Sequence, residues 1–255
     1  MTSKIATVKD GGEDGKVVKK QRLTLKERSR LGSSGVVILV GKRLDSKYLI
    51  HESILTKTSL FFRSAMKKEW KEGEEKIVRF NDVSSETFDL YQCWLYTNAV
   101  YTSERDPSGT SFYSFLINAY LFGDRILDHP FKDIMMDTFS QKMEENSKIP
   151  VSLTYSIYYG TAPSSPLRRI MVDKCTYSDF SESLDRQTAD DLPKDFLMGL
   201  VRSLSKKTWG RLPGIPPWDS NSNCYYHSHG TEFPCYKTLD WGEPTSDCRL
   251  VNSSM

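Results

Sequence analysis

The chain has 255 residues, 38% of them hydrophobic, with 35 Lys or Arg against 33 Asp or Glu and a net charge of +2. That is enough apolar matter for a globular core, and too little net charge for a field that would recruit nucleic acid or an anionic membrane. A mean hydropathy of −0.49 implies that part of the chain lies outside any core.

The charge is unevenly placed. Residues 1–30 hold nine Lys or Arg and four Asp or Glu, so the remainder is net negative. This lysine-rich, glycine-dotted stretch predicts a disordered basic arm over 1–33. Lys16 to Arg22 (KVVKKQR) is a short basic patch of the kind used for nuclear import or polyanion binding, although a solvated tail explains it as well. The opening residues lack the apolar core of a secretory signal, and no run approaches a membrane span. The five cysteines are odd in number and form no secreted framework, which predicts reduced thiols in the cytoplasm or nucleus.

Val36 to Val40 is a continuous apolar run bounded by Gly35 and Gly41, which predicts a strand buried on both faces. Gly41-Lys42 opens a connection to Tyr48-Leu49-Ile50-His51, hence a hairpin. Ser53 can cap a helix carrying Ile54 and Leu55, and Phe61, Phe62, Ala65 and Met66 belong to a second. Lys67 to Lys76 reads as a solvated rim. Ile77 to Phe80 alternates as a third strand should. Asn81-Asp82 then turns the chain, with Ser84 or Ser85 as the cap of a helix over 85–98 that carries Phe88, Leu90, Tyr91, Trp94 and Leu95.

Residues 102–110 have loop composition. Phe112, Phe115, Leu116, Ala119 and Phe122 form a helical stripe ending at Gly123, and Phe131, Met135, Phe139 and Met143 recur every four residues in another helix, over 131–145. Such aromatic and methionine stripes read as core. A helix follows over 151–159, and Ser165-Pro166 supplies a hydroxyl cap with proline at the first helical position. Residues 177–190 read as polar linker. Phe196, Leu197, Leu200, Val201 and Leu204 mark a last helix, after which nine of the 48 residues from Thr208 are Gly or Pro.

The order strand, strand, helical pair, strand and helical ladder resembles a BTB (POZ) domain. The resemblance rests on the Val36–Gly41 strand, on Tyr48-Leu49-Ile50-His51, and on the spacing Leu55, Ser59, Phe62. Trp70-x-Glu72, Trp94-Leu95-Tyr96-Thr97 and Ser165-Pro166-Leu167-Arg168-Arg169 look like the versions found in fungal BTB proteins. It implies an α+β fold, a small mixed sheet surrounded by helices, with the BTB domain over 34–145, a helical extension over 146–207 and a flexible tail over 208–255. One departure is Gly35, where the family usually has an acidic residue that helps settle the dimer core; this bears on homodimerisation and not on the fold.

The resemblance implies a non-enzymatic interaction module, a scaffold or adaptor whose partners are proteins, including a second copy or the cullin scaffold of a ubiquitin ligase. Family members that bind cullin use a hydrophobic-x-Glu motif after the second helix of the pair, and Trp70-Lys71-Glu72 stands at that place. An exposed aromatic anchor beside a carboxylate suits such a contact, while a Trp70 folded back onto the domain is the structural alternative.

Catalytic patterns are missing from the sequence: there is no P-loop, dinucleotide fingerprint, nucleophile elbow or H-E-x-x-H. His51, at a strand end, reads as a satisfied structural residue, and His129 precedes Pro130 at a helix start. One constellation carries chemistry. Cys224, His227, His229 and Cys235 supply two thiolates and two imidazoles, a sensible tetrahedral zinc set, although their spacing is not that of a common zinc finger. A metal-free tail is the other reading. A nuclear regulator using the basic arm and a zinc-stabilised tail is the functional alternative to the adaptor; nucleic-acid and membrane partners are not expected.

Overall fold

The computed structural model describes residues 32–101, 110–219, 224–229 and 235–238. All of the expected basic arm but residues 32 and 33, residues 102–109 of the expected loop 102–110, and the chain beyond 238, Cys248 included, lie outside the described residues.

Three strands form one mixed sheet in the order β2-β1-β3. β1 (Gly35–Val40) is central; β2 (Ser46–His51) pairs with it antiparallel and β3 (Ile77–Phe80) parallel. The hairpin and the third strand stand where the sequence puts them. Burial of β1 is one-sided, however. Val36, Ile38 and Val40 are fully buried, whereas Val37 and Leu39 are half-buried and Leu49, paired with Val37, is 68% exposed. The continuous apolar run therefore does not mark a strand covered on both faces. Side chains alternate across a strand, and the helices cover one face of this small sheet.

β2 runs directly into α1 (Glu52–Thr58), and Ser59 breaks the chain into α2 (Leu60–Ala65). The expected cap at Ser53 is displaced: His51 occupies the cap position, and its Nδ1 lies 2.9 Å from the Tyr96 hydroxyl. Ser59 is extended; its Oγ accepts from the Phe62 amide at 3.2 Å and donates to the Ile126 carbonyl at 2.6 Å. The expected solvated rim contains a short helix, α3 (Lys71–Glu75), just before β3.

α4 (Ser85–Thr97) is capped by Ser84 and buries Phe88, Leu90, Tyr91 and Trp94. Tyr91 stands at the centre of the aromatic core, with ring centroids 4.9 Å from Phe131 and 5.3 Å from Phe122. α5 (Thr110–Arg125) continues through Gly123 instead of stopping there. A Cβ at Gly123 would lie 3.0 Å from the Phe131 ring and 3.4 Å from the Lys132 backbone, so this glycine permits a close helix crossing rather than ending a helix.

The crossing partner is α6 (His129–Glu145), which buries Phe131, Met135, Phe139 and Met143 as the four-residue recurrence requires. After a 3₁₀ turn at Val151–Leu153 come α7 (Thr154–Gly160) and α8 (Pro166–Tyr177), the latter with Ser165 at its cap. The expected linker holds a further short helix, α9 (Ser181–Asp185). In α10 (Lys194–Thr208) only Phe196 and Leu200 of the expected stripe are buried, while Val201 is 60% exposed, because the helix packs along one narrow face. The core is continuous from Val36 to Leu200 and reaches Tyr226 in the tail. The molecule is a mixed α+β protein, and among the described residues no helix is long and apolar enough to cross a membrane.

Candidate metal centre and partner face

Trp70 precedes the first turn of α3 and Glu72 lies within that turn. Trp70 is 57% exposed, so it does not fold back onto the domain; Glu72 is half-buried. Gly73 fixes this arrangement. It is buried, and a Cβ there would lie 2.0 Å from the Lys67 carbonyl oxygen. Hydrogen bonds from the Trp70 amide to Lys67 O (3.1 Å) and from the Gly73 amide to Trp70 O (2.9 Å) complete a tight backbone knot around Trp70.

The second constellation lies at the other end of the chain. One ligand-type atom from each of Cys224, His227, His229 and Cys235 falls within 4.8 Å of every other. Cys224 Sγ is 3.6 Å from Cys235 Sγ, which in turn is 3.5 Å from His227 Nδ1, and that nitrogen is 3.1 Å from His229 Nε2. The structure thus brings together all four residues that the sequence singles out as metal donors, and the set could hold one ion.

α6 supplies the floor. Asp133 and Asp137, one helical turn apart, face the tail. Asp137 Oδ1 lies 2.8 Å from His227 Nε2, while its Oδ2 accepts from the Tyr236 hydroxyl at 2.6 Å and from Lys237 Nζ at 2.7 Å. Burial opposes its charge, but the donors from His227, Lys237 and Tyr236 prevail and hold the carboxyl below the usual range. Asp133 is buried and accepts from the Ser228 amide at 2.8 Å. Burial pushes its carboxyl up despite that bond. The core thiol of Cys175 is a contrast: burial alone pushes it up to about 12, the mark of an inert cysteine.

α8 forms the other wall, and the Ser165–Arg169 motif explains itself there. Ser165 accepts from the Leu167 amide, and Leu167 enters the core. Arg168 donates to the carbonyls of Tyr158 and Thr161 and so closes the end of α7. Arg169 reaches the tail, donating to Tyr225 O at 2.8 Å with its guanidinium 5.0 Å and 5.6 Å from the Tyr225 and Tyr226 rings. The Tyr226 hydroxyl donates to Asp173 at 3.0 Å. Nearby, the buried ammonium of Lys174 pairs with Glu144 at 2.5 Å and lies 3.9 Å from the Trp218 ring centroid.

Asp133, Asp137 and Asp173 escape a reading by motif because they share helices with core stripes that account for those segments by themselves, and the motif that contains Arg169 does not announce its contact with Tyr225. The available signal was the i,i+4 spacing of Asp133 with Asp137 and of Arg169 with Asp173. No family model matches the chain, and no curated protein matches it.

Proposed function

We propose that this chain is a non-enzymatic protein-interaction module of the BTB type, a scaffold or adaptor that offers Trp70 and Glu72 to a partner protein. The sheet order, the hairpin leading straight into a helical pair and the parallel third strand support the BTB reading. The observation that carries the function is the exposed Trp70 on a backbone that Gly73 holds in place. An exposed tryptophan loses apolar area to water until a partner covers it, and such residues dominate binding energy where they are covered. A cullin scaffold is the partner class that the position of Trp70 and Glu72 suggests.

The test is co-purification from cells with the full chain and with Trp70→Ala. Loss of a cullin from the variant, at unchanged melting temperature, supports the contact. A variant that keeps the cullin, or that unfolds, refutes it. The alternative, a nuclear regulator using the basic arm and a zinc-held tail, draws on the convergence of the four Cys and His side chains. Removing Lys16 to Arg22 would then abolish nuclear accumulation.

A further inference from the structure

Four donors from two short stretches of the tail, 224–229 and 235–238, face one point against α6. Three of the six separations between them have the scale of a coordination polyhedron, and all six lie within 4.8 Å. A tetrahedral zinc with bonds of about 2.3 Å to sulfur and about 2.0–2.1 Å to nitrogen places sulfur pairs roughly 3.8 Å apart, sulfur–nitrogen pairs roughly 3.6 Å and nitrogen pairs roughly 3.4 Å. The corresponding separations here are 3.6, 3.5 and 3.1 Å. The chemistry agrees, because two thiolates with two imidazoles favour zinc over the hard oxygen-seeking cations.

Orientation agrees as well. An imidazole that ligates through one nitrogen almost always donates its other N–H to a carboxylate, a backbone carbonyl or water, which fixes its tautomer and its aim. His227 presents Nδ1 to the cluster while Nε2 lies 2.8 Å from Asp137. The next residue is pinned too, by the bond from the Ser228 amide to Asp133. We infer that Cys224, His227, His229 and Cys235 bind one zinc ion as a closed structural centre, with Asp137 as its positioning residue, and that the ion clasps the tail onto α6 and α8. Four protein donors leave no open position for substrate, so the centre is structural rather than catalytic. A disulfide between Cys224 and Cys235 is the rival arrangement. Their sulfurs stand 3.6 Å apart, well beyond a bond of about 2.05 Å, and a disulfide would not account for two imidazoles aimed at the same point.

The test uses the full chain purified under reducing conditions from zinc-supplemented medium. Elemental analysis should find about one zinc per chain. Replacement by cobalt(II) should give the visible bands of a tetrahedral ion and thiolate charge transfer in the near ultraviolet. Cys224→Ser with Cys235→Ser should lose both signatures, and Cys93→Ser should keep them. Asp137→Asn should retain the cobalt spectrum but bind zinc roughly 10–100-fold more weakly in a competition with a chromogenic chelator, with Asp137→Glu recovering part of that loss. A chain free of zinc, an octahedral cobalt spectrum, or a mass two hydrogens light from a Cys224–Cys235 disulfide would overturn the proposal. Cobalt binding to the unsubstituted chain decides the matter even if the cysteine variants fail to fold.

Discussion

Replacing Asp128 with alanine removes an acceptor that three parts of the fold share. Its Oδ2 accepts from Thr58 Oγ1 at 2.7 Å and from the Tyr91 hydroxyl at 2.9 Å, and its Oδ1 caps α6 by accepting from the Phe131 amide at 3.1 Å. The residue is fully buried, so bulk solvent does not reach its three donors in the folded protein. A lost cap is worth about 1 kcal/mol and each stranded buried hydroxyl about 1–3 kcal/mol, and the low ends of these ranges already give about 3 kcal/mol. For a chain of this size that corresponds to a fall of roughly 6–12 °C in melting temperature. Urea unfolding followed by tryptophan fluorescence is the assay, since Trp94 is buried with its ring 6.2 Å from Phe131. Burial raises the Asp128 carboxyl above its ordinary value, against donors from Thr58, Phe131 and Tyr91. A carboxyl raised on folding costs stability as pH climbs from the unfolded toward the folded value, because only the unfolded chain ionises freely in that window. Asp128→Asn, which does not ionise, should therefore trail the wild type most in acid and least at neutral pH. An Asp128→Ala variant within about 1 kcal/mol of wild type would refute this account of the site.

Gly73→Ala should lower stability by about 1–3 kcal/mol and shift the Trp70 emission, since the new methyl group meets the Lys67 carbonyl; unchanged melting and emission would show that α3 is free to move. Arg168→Lys should cost about 1–3 kcal/mol in thermal unfolding, because a single ammonium cannot reproduce the fork that holds the Tyr158 and Thr161 carbonyls. Lys174→Met should match or exceed wild-type stability: burial lowers the Lys174 ammonium although Glu144 opposes the shift, and Glu144 is itself half exposed and screened. A clear drop in the Lys174→Met midpoint would mean that the pair with Glu144 outweighs its desolvation.

The strands, the hairpin and the large helices were legible because each has its own period: apolar alternation in β3, and four-residue recurrence of Phe131, Met135, Phe139 and Met143. The errors fall where a local signal has two physical meanings. Gly123 reads as a stop but serves a close crossing, and the apolar run of β1 reads as doubly buried although its outer face is only half covered. Short helices such as α3 and α9 have too few residues to show a period and depend on tertiary contacts. The convergent set Cys224, His227, His229 and Cys235 was legible from residue type, whereas the carboxylates beneath it were not. Asp137 lies 90 positions upstream of His227 and Asp133 lies 95 upstream of Ser228, and only the packed fold makes them neighbours.

That separation has a consequence for the order of assembly. His227 reaches Asp137 across 90 positions, Ser228 reaches Asp133 across 95 and Tyr236 reaches Asp137 across 99. Contacts between such distant positions bear a large loop-closure entropy until the intervening chain has condensed. During synthesis α6 and α8 leave the ribosome before the tail does, so the tail closes over a body already built. Its closure is a final inspection. A molecule in which α8 has docked askew cannot bring Tyr226 to Asp173 and His227 to Asp137 together, and it leaves Tyr226 and Cys235, buried in the closed tail, open to water.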